Sequence, residues 1–339
     1  MAIVASQSRS VRASPTGWQE AMRTAIRDGV ELCRRLQLPP RYEAAAAQAA
    51  RQFPVFAPLG YVARMQPGDP HDPLLRQVLP LGEELTEVAG YSADPVADRA
   101  AMLAPGLLQK YIGRALLITT GACAVHCRYC FRRHFPYRDS LPSLDRWGAA
   151  IEVLRADDSI EEVVLSGGDP LTLVDGQLAN LVDRLAAVEH VRRLRVHTRL
   201  PVVIPERVTA ELLSWLRGSR LTPIVVIHAN HPTELDDIVG DALARLVDAG
   251  VPVLNQAVLL RGVNDDLDTL AGLCRRLADL RVLPYYLHQL DRVAGAAHFE
   301  VPINKGRHLV EELRKVLPSY AVPRYVQEVA GAPYKTLLG

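Results

Sequence analysis

The chain runs to 339 residues, 49% hydrophobic and 23% charged, with a formal net charge of +1. That length suits one large α/β unit with an appendage, and so small a charge gives no field to recruit nucleic acid or an anionic membrane. The opening MAIVASQSRSVRASPTGW lacks the apolar core of a secretory signal, and no run approaches the ~20 apolar residues of a bilayer span, so a cytoplasmic protein is expected.

Residues 18–52 read as helix, through GVELCRRLQL and RYEAAAAQAAR, with Pro39 and Pro40 as the break. Residues 54–82, rich in Pro, Gly and Asp, read as a wrapping loop. A short helical run follows before the character changes at Pro105-Gly106. From there apolar, β-branched runs recur at 115–119, 162–165, 194–198, 223–227, 252–259 and 282–287. Amphipathic helical patterns such as LANLVDRLAAVEH and LAGLCRRLADL separate them, and the last five runs begin about every 30 residues, the length of a βα unit. This alternation predicts an α/β fold, a parallel sheet covered by helices. Six units suit a curved, incomplete barrel rather than the closed eight, and an open doubly wound sheet fits the pattern as well. The unusual residues, namely Cys123–Cys130, the Ser166–Asp169 turn, Arg199, His228, Asn230 and His288–Asp291, all follow the C-terminal ends of the expected strands. In parallel α/β folds that edge holds the active site.

Of five cysteines, Cys33 and Cys274 sit singly among apolar helical neighbours and read as small buried hydrophobes. Cys123, Cys127 and Cys130 fall within eight residues, in CAVHCRYCFRRHF. In a reducing compartment that grouping points to metal or cofactor ligation rather than disulfides. Structural zinc sites take four ligands, commonly in two pairs, and here there are three in one loop. Three thiolates on a four-iron cubane would leave one iron open to a chelating molecule. A zinc site completed by His126 or His134 is the rival reading, and it leaves Arg132 and Arg133 unexplained.

The Cys-x3-Cys-x2-Cys spacing directly after the first barrel strand resembles the radical S-adenosylmethionine superfamily. The strings KYIGRALLITTGACAVHCRYCFRRHF, LSGGDPL, RVHTRLPVVIPERVT, HANHPTEL, NQAVLLRGVND and YYLHQLD together resemble the lysine 2,3-aminomutase family, from about residue 105 onward. The likeness is strongest to its shorter members, which make β-lysine for modification of elongation factor P. With its last residue at Gly339, the chain is expected to lack the C-terminal metal-binding extension of the catabolic enzymes.

The resemblance implies a partial (β/α)6 radical S-adenosylmethionine barrel over 106–320, an N-terminal helical wrap over 1–105 and a C-terminal segment, 321–339, carrying the cofactor lysine. It implies a [4Fe–4S] cluster on Cys123, Cys127 and Cys130, and S-adenosylmethionine on the open iron. The Ser166, Gly167, Gly168 and Asp169 turn would then meet the methionine amino group. It implies pyridoxal 5′-phosphate on Lys335, whose amine suits a Schiff base with the cofactor's aldehyde. Tyr111 and Arg114 would hold that cofactor, Arg114 at its phosphate. Lys110 stands where the catabolic enzymes have an arginine. Arg132 matches the arginine that clamps the substrate carboxylate, and Asp291 and Glu328 match the acidic positions that hold the distant ammonium of lysine. The implied reaction converts free L-lysine to β-lysine, in the R form. It would draw an electron from a flavodoxin or ferredoxin, with no nucleic-acid or membrane partner and with a homo-oligomer left open. Two rivals stay in play: the same chemistry in catabolism, in biosynthesis or on another amino acid, and a non-catalytic zinc or iron–sulfur scaffold.

Overall fold

The structure is a computed structural model and describes residues 17–137 and 147–339. Ten strands form one sheet in chain order. They are β1 (Met102–Ala104), β2 (Leu107–Tyr111), β3 (Arg114–Thr120), β4 (Glu162–Gly167), β5 (Arg193–Thr198), β6 (Thr222–Ile227), β7 (Val253–Val258), β8 (Leu283–His288), β9 (Arg324–Gln327) and β10 (Thr336–Leu337). Neighbours from β3 to β9 are parallel. The edges are antiparallel, with β1 and β2 on one side and β10 on the other.

The six expected strands are β3 to β8. A seventh parallel strand, β9, comes from the C-terminal segment, where Arg-Tyr-Val-Gln is too short to stand out as a periodic run. Residues from β2 to the turn beyond β9 line one cavity of about 300 Å³. The sheet is therefore curled, which decides against the open doubly wound alternative. Tyr111, closing β2, donates to Glu328 Oε1, just past β9, at 2.7 Å and bridges the seam of the incomplete barrel.

The covering helices are built as their sequences dictate. Over Leu267–Asp279, Leu270, Leu273, Cys274 and Leu277 are buried, the spacing of one helical face. Asp266 caps that helix by accepting from Thr269 N at 2.9 Å. Asp236 and Thr209 cap Asp237–Asp248 and Ala210–Arg217 in the same way.

The N-terminal region shares the barrel's core rather than forming its own: Trp18, Leu32, Tyr61, Leu74 and Leu79 belong to the same buried cluster as Leu117, Leu165 and Leu287. The helix expected over 18–52 is broken once more than the prolines require. Trp18–Arg23 ends, Ile26 pairs through its backbone with Ala57, and Asp28 caps Gly29–Arg35 by accepting from Val30 N and Glu31 N. Cys33 and Cys274 are both buried. Among the described residues no helix is long and apolar enough to cross a membrane.

Candidate active site

The cysteine loop leaves the C-terminal end of β3 and is gripped from the N-terminal side. His126 N donates to Phe56 O at 3.0 Å, and Arg128 N to Gln77 O at 2.9 Å. The buried Arg128 and the buried side chain of Arg133 converge on the buried Glu84: Arg128 Nε and Nη2 lie 2.8 and 2.6 Å from its two oxygens, and Arg133 Nη2 lies 2.6 Å away. Removing one member of a buried ionic group strands the others without water. Glu84→Gln is accordingly expected to cost about 3–5 kcal/mol of stability, read as a lower denaturation midpoint together with early loss of whatever the cysteine loop binds.

A second buried network lies under Cys127. Arg199, following β5, reaches Cys127 Sγ and Tyr129 Oη through Nη1, and Gln77 Oε1 (2.7 Å) and Glu234 Oε2 (2.6 Å) through Nη2. Asn230 Nδ2 donates to the same Gln77 oxygen and to Tyr129 Oη. Gln77, from the wrap, is thus joined to three barrel loops. Sequence reasoning did not assign Glu84, Arg128, Gln77, Asn230 or Glu234 a place in these networks. The clustering of Arg128 and Arg133 around the cysteines, and of Asn230 and Glu234 in one motif, was the available signal.

All three clustered thiols are free and line the cavity. Burial pushes the Cys123 thiol well above its usual range, with the neighbouring Cys130 and Asp169 adding to it. Burial likewise lifts Cys130 to about 11. Closely spaced thiols on a partly closed cavity wall become ligands when a cation replaces the missing solvation. Among the described residues no three His, Cys, Asp or Glu side chains converge on a single metal ion. A cluster that takes each thiolate on a different iron needs no such convergence. The histidines of the zinc alternative are engaged elsewhere: His126 Nδ1 sits 2.9 Å from Pro54 O with its ring stacked on Phe53, and His134 Nε2 sits 3.1 Å from Ala294 O. The donor set fits an iron–sulfur cluster.

The glycine turn packs against this loop. A Cβ on Gly168 would lie 2.2 Å from Ala122 O, and Gly167 holds φ +115, so both positions exclude side chains. Asp169 is buried and accepts from Thr198 Oγ1 (2.7 Å), Arg199 N (2.6 Å), Leu171 N (3.0 Å) and Leu200 N (3.2 Å). Its carboxylate pins the turn to the end of β5. Ser166 faces the cavity and receives a 3.3 Å contact from Arg132 Nη1.

Tyr111 and Arg114 lie at the opposite end of β3 from the cysteines, paired across the β2–β3 turn. At about 3.3 Å per residue, that strand separates the two ends by roughly 20 Å. The Arg114 guanidinium lies over the Tyr111 ring, 4.7 Å from its centroid, and makes no hydrogen bond or ion pair among the described residues. It remains available to an anionic group. Lys335 stands in the same cavity because β10 turns back on β9, with Thr336 opposite Gln327 and Leu337 opposite Val326, so that Lys335 meets and pairs with Glu328. Leu338 N to Tyr325 O (2.8 Å) and Arg307 Nε to Leu338 O (2.8 Å) anchor the chain end, so Lys335 is not a solvated tail charge. An amine and an unclaimed guanidinium lining one cavity fit a phosphorylated aldehyde cofactor.

The acidic positions share this space. Burial works against the Glu328 charge, but Lys335, Tyr111 and Lys110 together hold its carboxyl below the usual range. Asp291 has no such partner: burial pushes it up to about 7, with Glu328 adding and Lys335 opposing. Arg132 is buried, its Nε 2.7 Å from Asp98 Oδ2. The structure thus gathers all thirteen expected residues into one cavity wall. The same wall holds Asp98, Lys110 and three histidines, His197, His228 and His288, the first two within hydrogen-bond distance of Gln256.

Known proteins match this chain in sequence. Residues 117–274 match the Radical SAM superfamily. The L-lysine 2,3-aminomutase of Escherichia coli is 43% identical, over 95% of this chain and 94% of its own length. That of Haemophilus influenzae is 41% identical over 94% and 95%, and that of Clostridium subterminale 36% identical over 94% and 77%. Likeness of this extent reaches well beyond residues 117–274. The chain belongs to the radical S-adenosylmethionine superfamily and, within it, to the L-lysine 2,3-aminomutase family.

Proposed function

We propose that this chain converts free L-lysine to β-lysine, (R)-β-lysine in the finer reading, by moving the amino group from carbon 2 to carbon 3. The family's cofactors are a [4Fe–4S] cluster, S-adenosylmethionine and pyridoxal phosphate. When bound, the first two supply a hydrogen-abstracting radical, and the third supplies the π-system across which nitrogen migrates. The observation that carries the substrate reading is the pairing of opposite recognition chemistries in one cavity: Arg132 for a carboxylate, and Asp291 with Glu328 for an ammonium.

In this reading Cys123, Cys127 and Cys130 hold the cluster, and the Ser166–Gly168 turn lets backbone approach the methionine moiety while Asp169 fixes the turn. Arg114 takes the phosphate, and Tyr111 positions it by stacking. Lys335 carries the cofactor through its amine. Arg132 and the two acids bind the ends of lysine, so that one carbon faces the radical, which is catalysis by orientation. The buried walls exclude water from that radical. The electron donor would be a flavodoxin or ferredoxin in the cytoplasm, and the product would go to elongation factor P. The family resemblance of the motifs supports both.

The elevated Asp291 carboxyl gives a pH signature. An acid with its midpoint raised to about 7 is neutral below that pH and charged above it. Apparent affinity for lysine is expected to rise about tenfold from pH 6 to pH 8, the span of one titrating group. Asp291→Asn should weaken binding and flatten that rise in KM measurements.

The direct test is anaerobic incubation of cluster-loaded protein with lysine, pyridoxal phosphate, S-adenosylmethionine and a reductant, followed by chiral chromatography. The expected product is (R)-β-lysine. Absence of any β-amino acid from lysine would remove the substrate assignment.

A further inference from the structure

Asp98 is 1% exposed and joins two cations. Its Oδ2 lies 2.7 Å from Arg132 Nε, and its Oδ1 lies 2.7 Å from Lys110 Nζ. Lys110 Nζ in turn sits 3.7 Å from Glu328 Oε1 and donates to Val96 O at 2.8 Å. Glu328 then meets Lys335 and Tyr111. Charges therefore alternate without a break from Arg132 through Asp98, Lys110 and Glu328 to Lys335, along one wall of the cavity.

The backbone is shaped to deliver Asp98 to this position. Asp94 caps the turn, accepting from Asp98 N at 2.8 Å and Arg99 N at 3.2 Å. Ala97 is held at φ +53, a left-handed conformation that a non-glycine residue adopts at a cost. Burial opposes the Asp98 charge, and Arg132 and Lys110 outweigh it, holding the carboxyl below its usual range. Arg132 Nη2 is left without a partner among the described residues, so the guanidinium is tethered by Nε and Nη1 while Nη2 stays free.

We propose that Asp98 and Lys110 are positioning residues that form an ionic joint between Arg132 and Glu328 and so select the length of the diamino acid substrate. This rests on the substrate reading above, in which Arg132 takes the carboxylate and Glu328 the ammonium. A substrate with two charged ends binds well only if the spacing of its receptors is fixed, and a rigid joint fixes it. Ornithine, one methylene shorter than lysine, probes that spacing without changing either charge.

The competing possibility is that Asp98 only screens Arg132. The two differ in sign. If Asp98 merely screened, Asp98→Asn would expose more positive charge and strengthen binding of lysine and ornithine alike. If Asp98 positions Arg132, lysine affinity falls about tenfold, ornithine affinity falls less, and the preference for lysine narrows. Lys110→Met leaves the Arg132–Asp98 pair intact and removes the link to Glu328, so it should narrow the preference as well. A role in screening would instead make it raise lysine affinity, by freeing Glu328 from a competing cation.

The experiment is an equilibrium titration of the cluster- and pyridoxal-loaded protein with lysine and with ornithine, without S-adenosylmethionine, following pyridoxal absorbance. A narrowed lysine-to-ornithine ratio in both variants, or in Lys110→Met alone should Asp98→Asn not fold, bears the joint out. Parent-like ratios, or affinities raised in parallel, overturn it. A parent protein that binds lysine and forms no β-lysine once S-adenosylmethionine and reductant are added sinks the functional reading, while the joint is still judged by the titration. A parent with no affinity for either amino acid removes both.

Discussion

Alanine at Cys123, Cys127 or Cys130 is expected to drop bound iron from about four atoms per chain to a small fraction of that, and to abolish cleavage of S-adenosylmethionine. Loss of a residue that merely supports a metal ligand costs 10–100-fold in affinity or activity, so loss of a ligand should exceed about 100-fold. The fold should survive, because the loop is held by other groups. Glu84 grips Arg128 and Arg133, and Arg199 stands on Glu234 and Gln77, and none of these contacts uses a cysteine. Iron and sulfide analysis beside circular dichroism reads the two effects separately. Alanine at the buried Cys274, on the core-facing side of a covering helix, supplies the contrast, since it should lower stability and leave the iron in place.

Lys335→Ala should eliminate the absorbance of covalently held pyridoxal phosphate and bring β-lysine formation to background. Lys335→Arg separates charge from chemistry. An arginine can still neutralise Glu328, but its guanidinium stays protonated and forms no imine, so it should be as inactive as alanine. Glu328 also keeps Tyr111 at 2.7 Å and Lys110 at 3.7 Å, so neither variant leaves a buried anion stranded. Full activity in Lys335→Arg would show that the lysine serves only as a counter-ion.

The barrel was legible in the sequence where its parallel strands are buried on both faces. Val163, Val164 and Leu165, or Val225, Val226 and Ile227, read as continuous apolar runs. β9 was not legible, since four residues containing arginine and glutamine carry no period. The cysteine loop was legible through spacing alone. Lys335 was visible only through family resemblance: four residues from Gly339, it looks like an exposed charge until the β9–β10 pairing turns it inward.

The N-terminal wrap hid the most. Gln77 and Glu84 look like ordinary polar residues in and just beyond a Pro- and Gly-rich loop, and only tertiary packing brings them beneath residues some fifty positions away. Asp98 was hidden for the same reason, because both of its partners lie on other elements. Asp169 illustrates a different limit. Its position in the glycine turn was readable, whereas the saturation of its carboxylate by Thr198, Leu171, Arg199 and Leu200 depends on β5 ending beside it.

Electron paramagnetic resonance of the anaerobically reconstituted, reduced protein, before and after addition of S-adenosylmethionine, tests the cysteine assignment at its root. With three thiolates on four irons, the expected result is a [4Fe–4S] signal, about four irons per chain, and a change in that signal when the sulfonium compound occupies the remaining iron. Protein that holds zinc on those thiols, or a cluster whose signal ignores S-adenosylmethionine, would contradict it.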